Sequence, residues 1–69
     1  MQITITVNGT DTNIRQENDL QSILSELGYQ HTHTIAVAVN QKFISKENHE
    51  TTIIREKDQI EVVAPMQGG

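Results

Sequence analysis

The sequence predicts an α+β fold in which one amphipathic helix covers one face of a mixed sheet of four to five strands. Three features support this prediction: a hairpin signal near the first residues, one stretch with helical periodicity, and later stretches with strand periodicity. The chain has 69 residues. A domain this small buries only about 60% of the surface of its unfolded chain, so its core must be compact.

The first predicted element is a β-hairpin centred on Asn8-Gly9. Both residue types tolerate the positive φ angles of a tight two-residue turn. Counting outward from the turn gives three pairs whose side chains share the core-facing side of the ribbon: Val7 with Thr10, Ile5 with Thr12, and Ile3 with Ile14.

The second predicted element is an amphipathic helix in the stretch DLQSILSELG. Its apolar residues recur at i, i+3, i+4 and i+7 and form one stripe: Leu20, Ile23, Leu24 and Leu27. Asn18 is predicted to cap the first turn, with Gln21 in the capping-box position. Gly28 is placed to end the helix in a left-handed turn.

Three further strands complete the predicted sheet. The stretch TIAVAVN is apolar on both faces, as a strand with neighbours on both sides requires. Asn40-Gln41 then turns the chain into the short strand KFI, and the last strand is QIEVVA. The polar stretch SKENHETT suits a short helical turn or loop. The order of elements is that of a β-grasp (ubiquitin-like) domain, which we assign to residues 1–64.

The final residues 65–69, PMQGG, carry no periodic pattern and are predicted to form a flexible C-terminal tail. An extended tail after Ala64 would reach about 17 Å from the end of the last strand. Peptides without a Cβ atom can enter a narrow channel. The Gly68-Gly69 end therefore suits a tail that is inserted into the active site of another protein.

A partner-docking face is predicted on the side of the sheet away from the helix. Alternation groups Val63 there with Ala36, Ala38 and one of the two residues Phe43 and Ile44. An apolar patch on the solvent side of a small sheet is typical of a protein-binding surface. We therefore expect Val63, Phe43 and Ala38 to contact a partner, although single exposed apolar residues are also common on soluble proteins.

Composition and charge argue against several functions. Five Lys and Arg against nine Asp and Glu give a net charge of −4, and the basic residues are scattered, so we expect no nucleic-acid partner. No apolar stretch approaches the roughly 20 residues of a membrane span, and the first residues do not resemble a secretory signal. We expect a cytoplasmic protein with no membrane partner. The chain contains no cysteine, which excludes disulfides and a cysteine nucleophile.

The histidines are the only candidate metal ligands outside the carboxylates. His31 and His33 are close in sequence, but zinc needs at least three protein ligands and His49 is distant. We therefore predict no metal site and expect exposed loop histidines. No serine has the partners that predict a catalytic triad, so no catalytic residue is assigned. Without a glycine-rich phosphate loop, the chain is not expected to bind ATP itself.

With these features the chain resembles the ThiS family, the sulfur carrier proteins of thiamine biosynthesis. The resemblance extends over the whole chain and rests on ITVNG, DLQSILSELG, IAVAVNQKFI, TTIIREKDQIEVV and the terminal QGG. One departure lies before the last strand, where the family often has Asp-Gly-Asp and this chain has Glu56-Lys57-Asp58. We expect either an unfavourable backbone angle at Lys57 or a turn of another type.

The resemblance implies that the chain is a substrate of enzymes and not an enzyme. A ThiF-like adenylyltransferase would use ATP to adenylate the Gly69 carboxylate. Sulfur from a cysteine desulfurase or another persulfide donor would then leave a covalent thiocarboxylate on Gly69, for use by a ThiG-like thiazole synthase. Met66, Gln67 and Gly68 are the residues implied in tail recognition. No bound cofactor is implied, and the free protein is expected to be a monomer.

Three alternatives remain open. The small subunit of molybdopterin synthase uses the same terminal chemistry while docked on a larger subunit. A ubiquitin-like modifier would be joined through Gly69 to lysines of target proteins. A plain interaction domain would carry inert terminal glycines. The short chain and its scarce aromatic residues favour the thiamine pathway over the molybdopterin one.

Overall fold

The computed structural model describes residues 2–29 and 34–63. Its elements, in chain order, are β1 (Ile3–Val7), β2 (Thr10–Ile14), β3 (Asn18–Asp19), α1 (Leu20–Glu26), β4 (Ala36–Val39), β5 (Lys42–Ile44), a 3₁₀ helix (Lys46–Asn48), β6 (Ile53–Ile54) and β7 (Gln59–Val63). The predicted tail at 65–69 and its boundary at Ala64 lie outside the described residues, as do His31 and His33.

Five strands form one mixed sheet in the order β2-β1-β7-β4-β5. β1 and β7 run parallel, whereas the other neighbouring strands run antiparallel. β7 therefore lies in the middle of the sheet although it comes late in the chain. The helix covers one face, so the predicted β-grasp arrangement is confirmed.

The hairpin forms with the predicted turn and register. Asn8 and Gly9 have φ angles of 53° and 84°, as a two-residue hairpin turn requires. Ile3 pairs with Ile14, Ile5 with Thr12 and Val7 with Thr10.

The core lies between α1 and the inner face of the sheet. Its buried apolar side chains come from β1, β2, α1, β4, β6 and β7: Ile3, Ile5, Ile14, Leu20, Ile23, Leu24, Val37, Val39, Ile54, Ile60 and Val62. Leu20, Ile23 and Leu24 are fully buried, which confirms the predicted helix stripe. Burial of each large aliphatic side chain stabilises the fold by about 1.5–3 kcal/mol before chain entropy is counted.

The helix begins one residue later than predicted, and its N-cap is Asp19. The Oδ2 atom of Asp19 accepts from the Ser22 N–H at 2.9 Å, and its Oδ1 accepts from the Ser22 hydroxyl at 2.8 Å. The assignment of Asn18 as N-cap was wrong because Asn18 pairs with Ile54 in a two-stranded sheet formed by β3 and β6. The N3 position is consequently Ser22 rather than Gln21.

The loop before β6 completes the start of the helix. The first-turn N–H groups of a helix lack partners within it. Here the Leu20 N–H donates to the Thr52 carbonyl at 2.7 Å, and the Gln21 N–H donates to the His49 carbonyl at 3.0 Å. His49 is only 2% exposed, so the expectation of an exposed loop histidine was wrong for this residue. Since its carbonyl caps the helix, His49 is held against the helix end.

The helix ends as predicted at Gly28, which has a φ of 97°. The Gly28 N–H donates to the Ser25 carbonyl at 3.1 Å, and the Tyr29 N–H donates to the Leu24 carbonyl at 2.9 Å. These two bonds are those of a Schellman motif, in which a residue with positive φ closes the last turn.

Lys57 has an unfavourable backbone angle, as the first of the two expectations for this turn stated. Its φ is 72°, in the left-handed region, and its N–H donates to the Thr4 carbonyl at 2.8 Å. This hydrogen bond links the loop between β6 and β7 to β1. In residues with a Cβ atom this conformation costs about 1–2 kcal/mol.

The variant Lys57→Gly is expected to raise the free energy of unfolding by about 1 kcal/mol, because glycine adopts this angle without a Cβ clash and keeps the N–H bond to Thr4. Denaturant unfolding of the variant and the parent measures the change. Arg55→Gly is the matched control, since Arg55 has no positive φ, and it should lower stability. A less stable Lys57→Gly protein would contradict the strain described here.

The N-cap makes stability depend on pH. Hydrogen bonds from the Ser22 N–H and hydroxyl hold the pKa of Asp19 below its ordinary value. Ionised Asp19 therefore stabilises the folded state above the ordinary pKa of about 3.9, and this contribution is lost as the pH falls through the lower pKa of the folded protein. Asp19→Asn keeps a neutral cap but should lower the Tm at pH 7, with the difference shrinking as the pH falls below about 4. Ser22→Ala loses only the hydroxyl bond, so its Tm at pH 7 should lie between those of the parent and Asp19→Asn. Superimposable profiles of Tm against pH for the three proteins would refute the assignment of Asp19 as the N-cap.

Candidate functional site

The outer face of the sheet, opposite the helix, carries an apolar patch. Phe43 lies across from Ala38, and Val63 lies across from Ala36, so these four side chains point to the same side. Phe43 is 66% exposed and Val63 is 65% exposed. Of the two residues left open by the sequence, Phe43 belongs to this face, whereas Ile44 pairs with Val37 and packs against the core.

A carboxylate borders this patch. Ala38 has Phe43 on one side and Glu61 on the other, because Glu61 pairs with Ala38 across β7 and β4. Directly opposed side chains in a sheet lie about 4.5–5.5 Å apart at Cβ, so the small Ala38 leaves a shallow depression between an aromatic ring and an acid. A complementary partner surface would present apolar side chains with a basic group at their edge.

A groove of about 310 Å³ continues the patch at one corner of the sheet. Its walls combine apolar side chains of β4 and β5 with polar residues of the 3₁₀ segment: Ile35, Ala36, Phe43, Ile44, Ser45, Lys46, Glu47 and His49. Ala36 and Phe43 belong to both the patch and the groove. The two features therefore form one continuous apolar surface.

The end of β7 lies beside this surface. Val63, the last residue of β7, pairs with Ala36, the first residue of β4 and part of the groove wall. Val63 thus lies beside the corner where patch and groove meet. The structure brings Val63, Phe43 and Ala38 together on one face as predicted, while their role in docking remains a prediction. Met66, Gln67, Gly68 and Gly69, the predicted tail residues, lie outside the described residues.

Two asparagines that sequence reasoning treated only as turn formers also hold β7 in place. The Asn8 amide bonds to Val62 near the end of β7: its Oδ1 accepts from the Val62 N–H at 2.8 Å, and its Nδ2 donates to the Val62 carbonyl at 3.3 Å. Asn40 bonds to Gln59 at the start of β7, through its N–H at 2.7 Å and its Oδ1 at 3.0 Å. The sequence signal for these bonds was the presence of asparagine instead of glycine at the first position of both turns.

The alanine, valine and phenylalanine side chains of the outer face supply no reactive group. Within residues 2–29 and 34–63, no three His, Cys, Asp or Glu side chains are placed to hold a metal ion together. In the same part of the chain, no helix has the length and apolar character needed to cross a membrane.

Comparison with known proteins gives one family. The sequence profile of the ThiS family matches residues 3–69. A crystal structure of the thiamine biosynthesis protein ThiS from Geobacter metallireducens is similar at a TM-score of 0.84 and 23% identity, covering 97% of this chain and 100% of that one. A solution structure of a thiamine biosynthesis protein from the same organism gives 0.83 and 23%, covering 97% and 88%. At this identity the solved structures show a shared fold. No curated protein matches the sequence significantly.

Proposed function

The chain belongs to the ThiS family, and from this membership we propose that it is a cytoplasmic sulfur carrier for the thiazole of thiamine, modified at Gly69. Beyond family membership, the position of β7 is the observation that supports the proposal. This strand is held in the middle of the sheet and ends beside an exposed apolar surface. The segment that would be modified therefore begins next to the surface that a partner enzyme would contact.

The proposed chemistry begins with activation of the Gly69 carboxylate. A C-terminal carboxyl group has an ordinary pKa of about 3.5, so it is ionised near neutral pH and is a poor electrophile. A ThiF-like adenylyltransferase uses ATP to form the acyl adenylate and releases pyrophosphate. The carrier itself supplies only the carboxylate and the surface that the enzyme recognises.

Sulfur replaces AMP in the second stage. The terminal sulfur of a persulfide, made by a cysteine desulfurase or another donor, attacks the Gly69 carbonyl carbon, and AMP leaves. A further thiol then cleaves the sulfur–sulfur bond of the resulting acyl disulfide, which releases the thiocarboxylate and a new disulfide. A ThiG-like thiazole synthase consumes the thiocarboxylate sulfur, and the carrier returns with its carboxylate for another cycle.

The globular body acts by docking. Val63, Phe43 and Ala38 form the contact face, and the neighbouring groove offers a concave extension of it. Exposed aromatic side chains are common anchors of protein interfaces. The tail residues Met66, Gln67 and Gly68 would be recognised by the active site of the partner after docking. Tail insertion and docking thus use different parts of the chain.

Mass spectrometry tests the terminal chemistry. After incubation with the cognate ThiF-like enzyme, ATP and a persulfide donor, the intact protein should gain the mass that corresponds to exchange of one oxygen for sulfur, located at Gly69. A chain lacking Gly69 is the control and should stay unmodified while keeping its fold. An unmodified parent protein, or a modified truncated one, would refute the proposal.

The docking face is tested by Phe43→Ala. Because Phe43 is 66% exposed, the free energy of unfolding should change by less than about 0.5 kcal/mol. The KM of the adenylation reaction for the carrier should rise about tenfold with kcat nearly unchanged, since the lost contact is made equally in the ground and transition states.

Ile53→Ala is the matched control for this measurement. Ile53 is also a large exposed apolar residue, at 46%, but it lies on β6 and outside the five-stranded sheet. Its replacement should leave KM unchanged. Equal values of KM for both variants would show that the outer face is not the docking surface.

A further inference from the structure

We propose that the free edge of β2 binds a second copy of this chain, so that two sheets join edge to edge into one continuous sheet. β2 lies at one end of the strand order, and within residues 2–29 and 34–63 no strand pairs with its outer side. The inference is independent of the proposed function, because it uses neither the outer apolar face nor the terminal glycines.

The backbone of β2 presents hydrogen-bonding groups to this edge at Asp11 and Asn13. On β1, the Thr4 carbonyl and the Thr6 N–H bond to the loop between β6 and β7, so they point away from β2. Thr4 lies opposite Asn13, and Thr6 lies opposite Asp11. These are therefore the non-hydrogen-bonded pairs of the hairpin, in which the N–H and carbonyl groups of Asp11 and Asn13 point to the free edge.

The opposite edge strand, β5, is protected against such pairing. It has three residues and begins with Lys42. Short edge strands and edge lysines are common devices that prevent two sheets from joining. β2 has five residues, contains neither lysine nor proline, and pairs with β1 without a bulge. Of the two edges, β2 is therefore the one open to another strand.

The charges beside this edge select one register for an antiparallel pair of copies. A pair centred on Asn13 brings outward backbone groups together and places Asp11 opposite Arg15 of the second copy, twice by symmetry. Arg15 directly follows β2, and both charged side chains are exposed. A pair centred on Thr12 would leave Asp11 opposite a neutral asparagine, and a pair centred on Asp11 would oppose two carboxylates, which is destabilising.

The resulting dimer is closed and weak. Both copies use the same strand, so the pairing has twofold symmetry and ends at two chains. The two outer apolar faces then lie on the same side of the joined sheet, opposite both helices. Two five-residue strands form a small contact compared with the about 1,600 Å² of a stable interface. The chain is therefore a monomer at micromolar concentrations and dimerises as millimolar concentrations are approached.

Charge exchange at the edge tests the dimer. In the parent, raising the concentration from about 20 μM to about 2 mM should shift the amide NMR signals of Asp11 and Asn13 and raise the average mass in sedimentation equilibrium. Asp11→Arg and Arg15→Asp should each abolish both effects, because each opposes like charges at two symmetric positions. These variants move the net charge in opposite directions, so a general charge effect cannot explain both losses. The double variant should associate like the parent.

Phe43→Ala is the control for association through the outer face, and it should leave the concentration dependence unchanged. If Phe43→Ala abolishes association, the copies meet through the outer face and the proposal is overturned. A parent protein that is still monomeric at about 2 mM, or a folded double variant that fails to associate, would also overturn it. The sulfur-carrier proposal stands in each of these cases, since adenylation of a monomer does not require the β2 edge.

Discussion

The structure depends on β7 being hydrogen-bonded along both edges. A late strand that enters the middle of a sheet must find its partners on both sides, here β1 in parallel and β4 in antiparallel orientation. Its inward side chains, Ile60 and Val62, fill the core between the hairpin and the helix. Its outward residue Val63 forms part of the exposed face. One strand thus connects the core to the proposed docking surface.

The helix depends on a second long-range contact. Its seven residues, Leu20–Glu26, are too few to be stable alone. The first turn is completed by the carbonyls of His49 and Thr52, and the short pairing of β3 with β6 holds that loop in place. Fully buried Ile54 then packs in the core beside the helix. The segment between β5 and β7 therefore connects two strands and also supplies the hydrogen-bond acceptors for the first turn of the helix.

Local patterns in the sequence predicted local structure well. The Asn8-Gly9 turn set the hairpin register, and the stripe ending at Gly28 identified the helix, because in both cases the determining residues are near neighbours in the chain. The same alternation placed Val63 on the outer face but left the choice between Phe43 and Ile44 open, because it depends on the register between β4 and β5. These features follow from the periods of strands and helices, which any short window of sequence displays.

Contacts between distant segments could not be predicted from local sequence patterns. The N-cap moved to Asp19 because Asn18 pairs with Ile54, and His49 became buried because its carbonyl meets the helix. The bonds from Asn8 and Asn40 to β7 depend equally on the completed sheet. Each of these interactions is chosen by the packing of the whole domain and leaves no periodic signal.

The parallel pairing of β1 with β7 also has a consequence for biosynthesis. A ribosome releases the first hairpin long before residues 59–63 have been made, so the middle of the sheet stays vacant until β7 is synthesised. Chains that stop before β7 lack the strand that places Val63 beside Ala36 on the outer face. The order of strands thereby makes completion of the sheet wait for a strand that is synthesised after both of its neighbours.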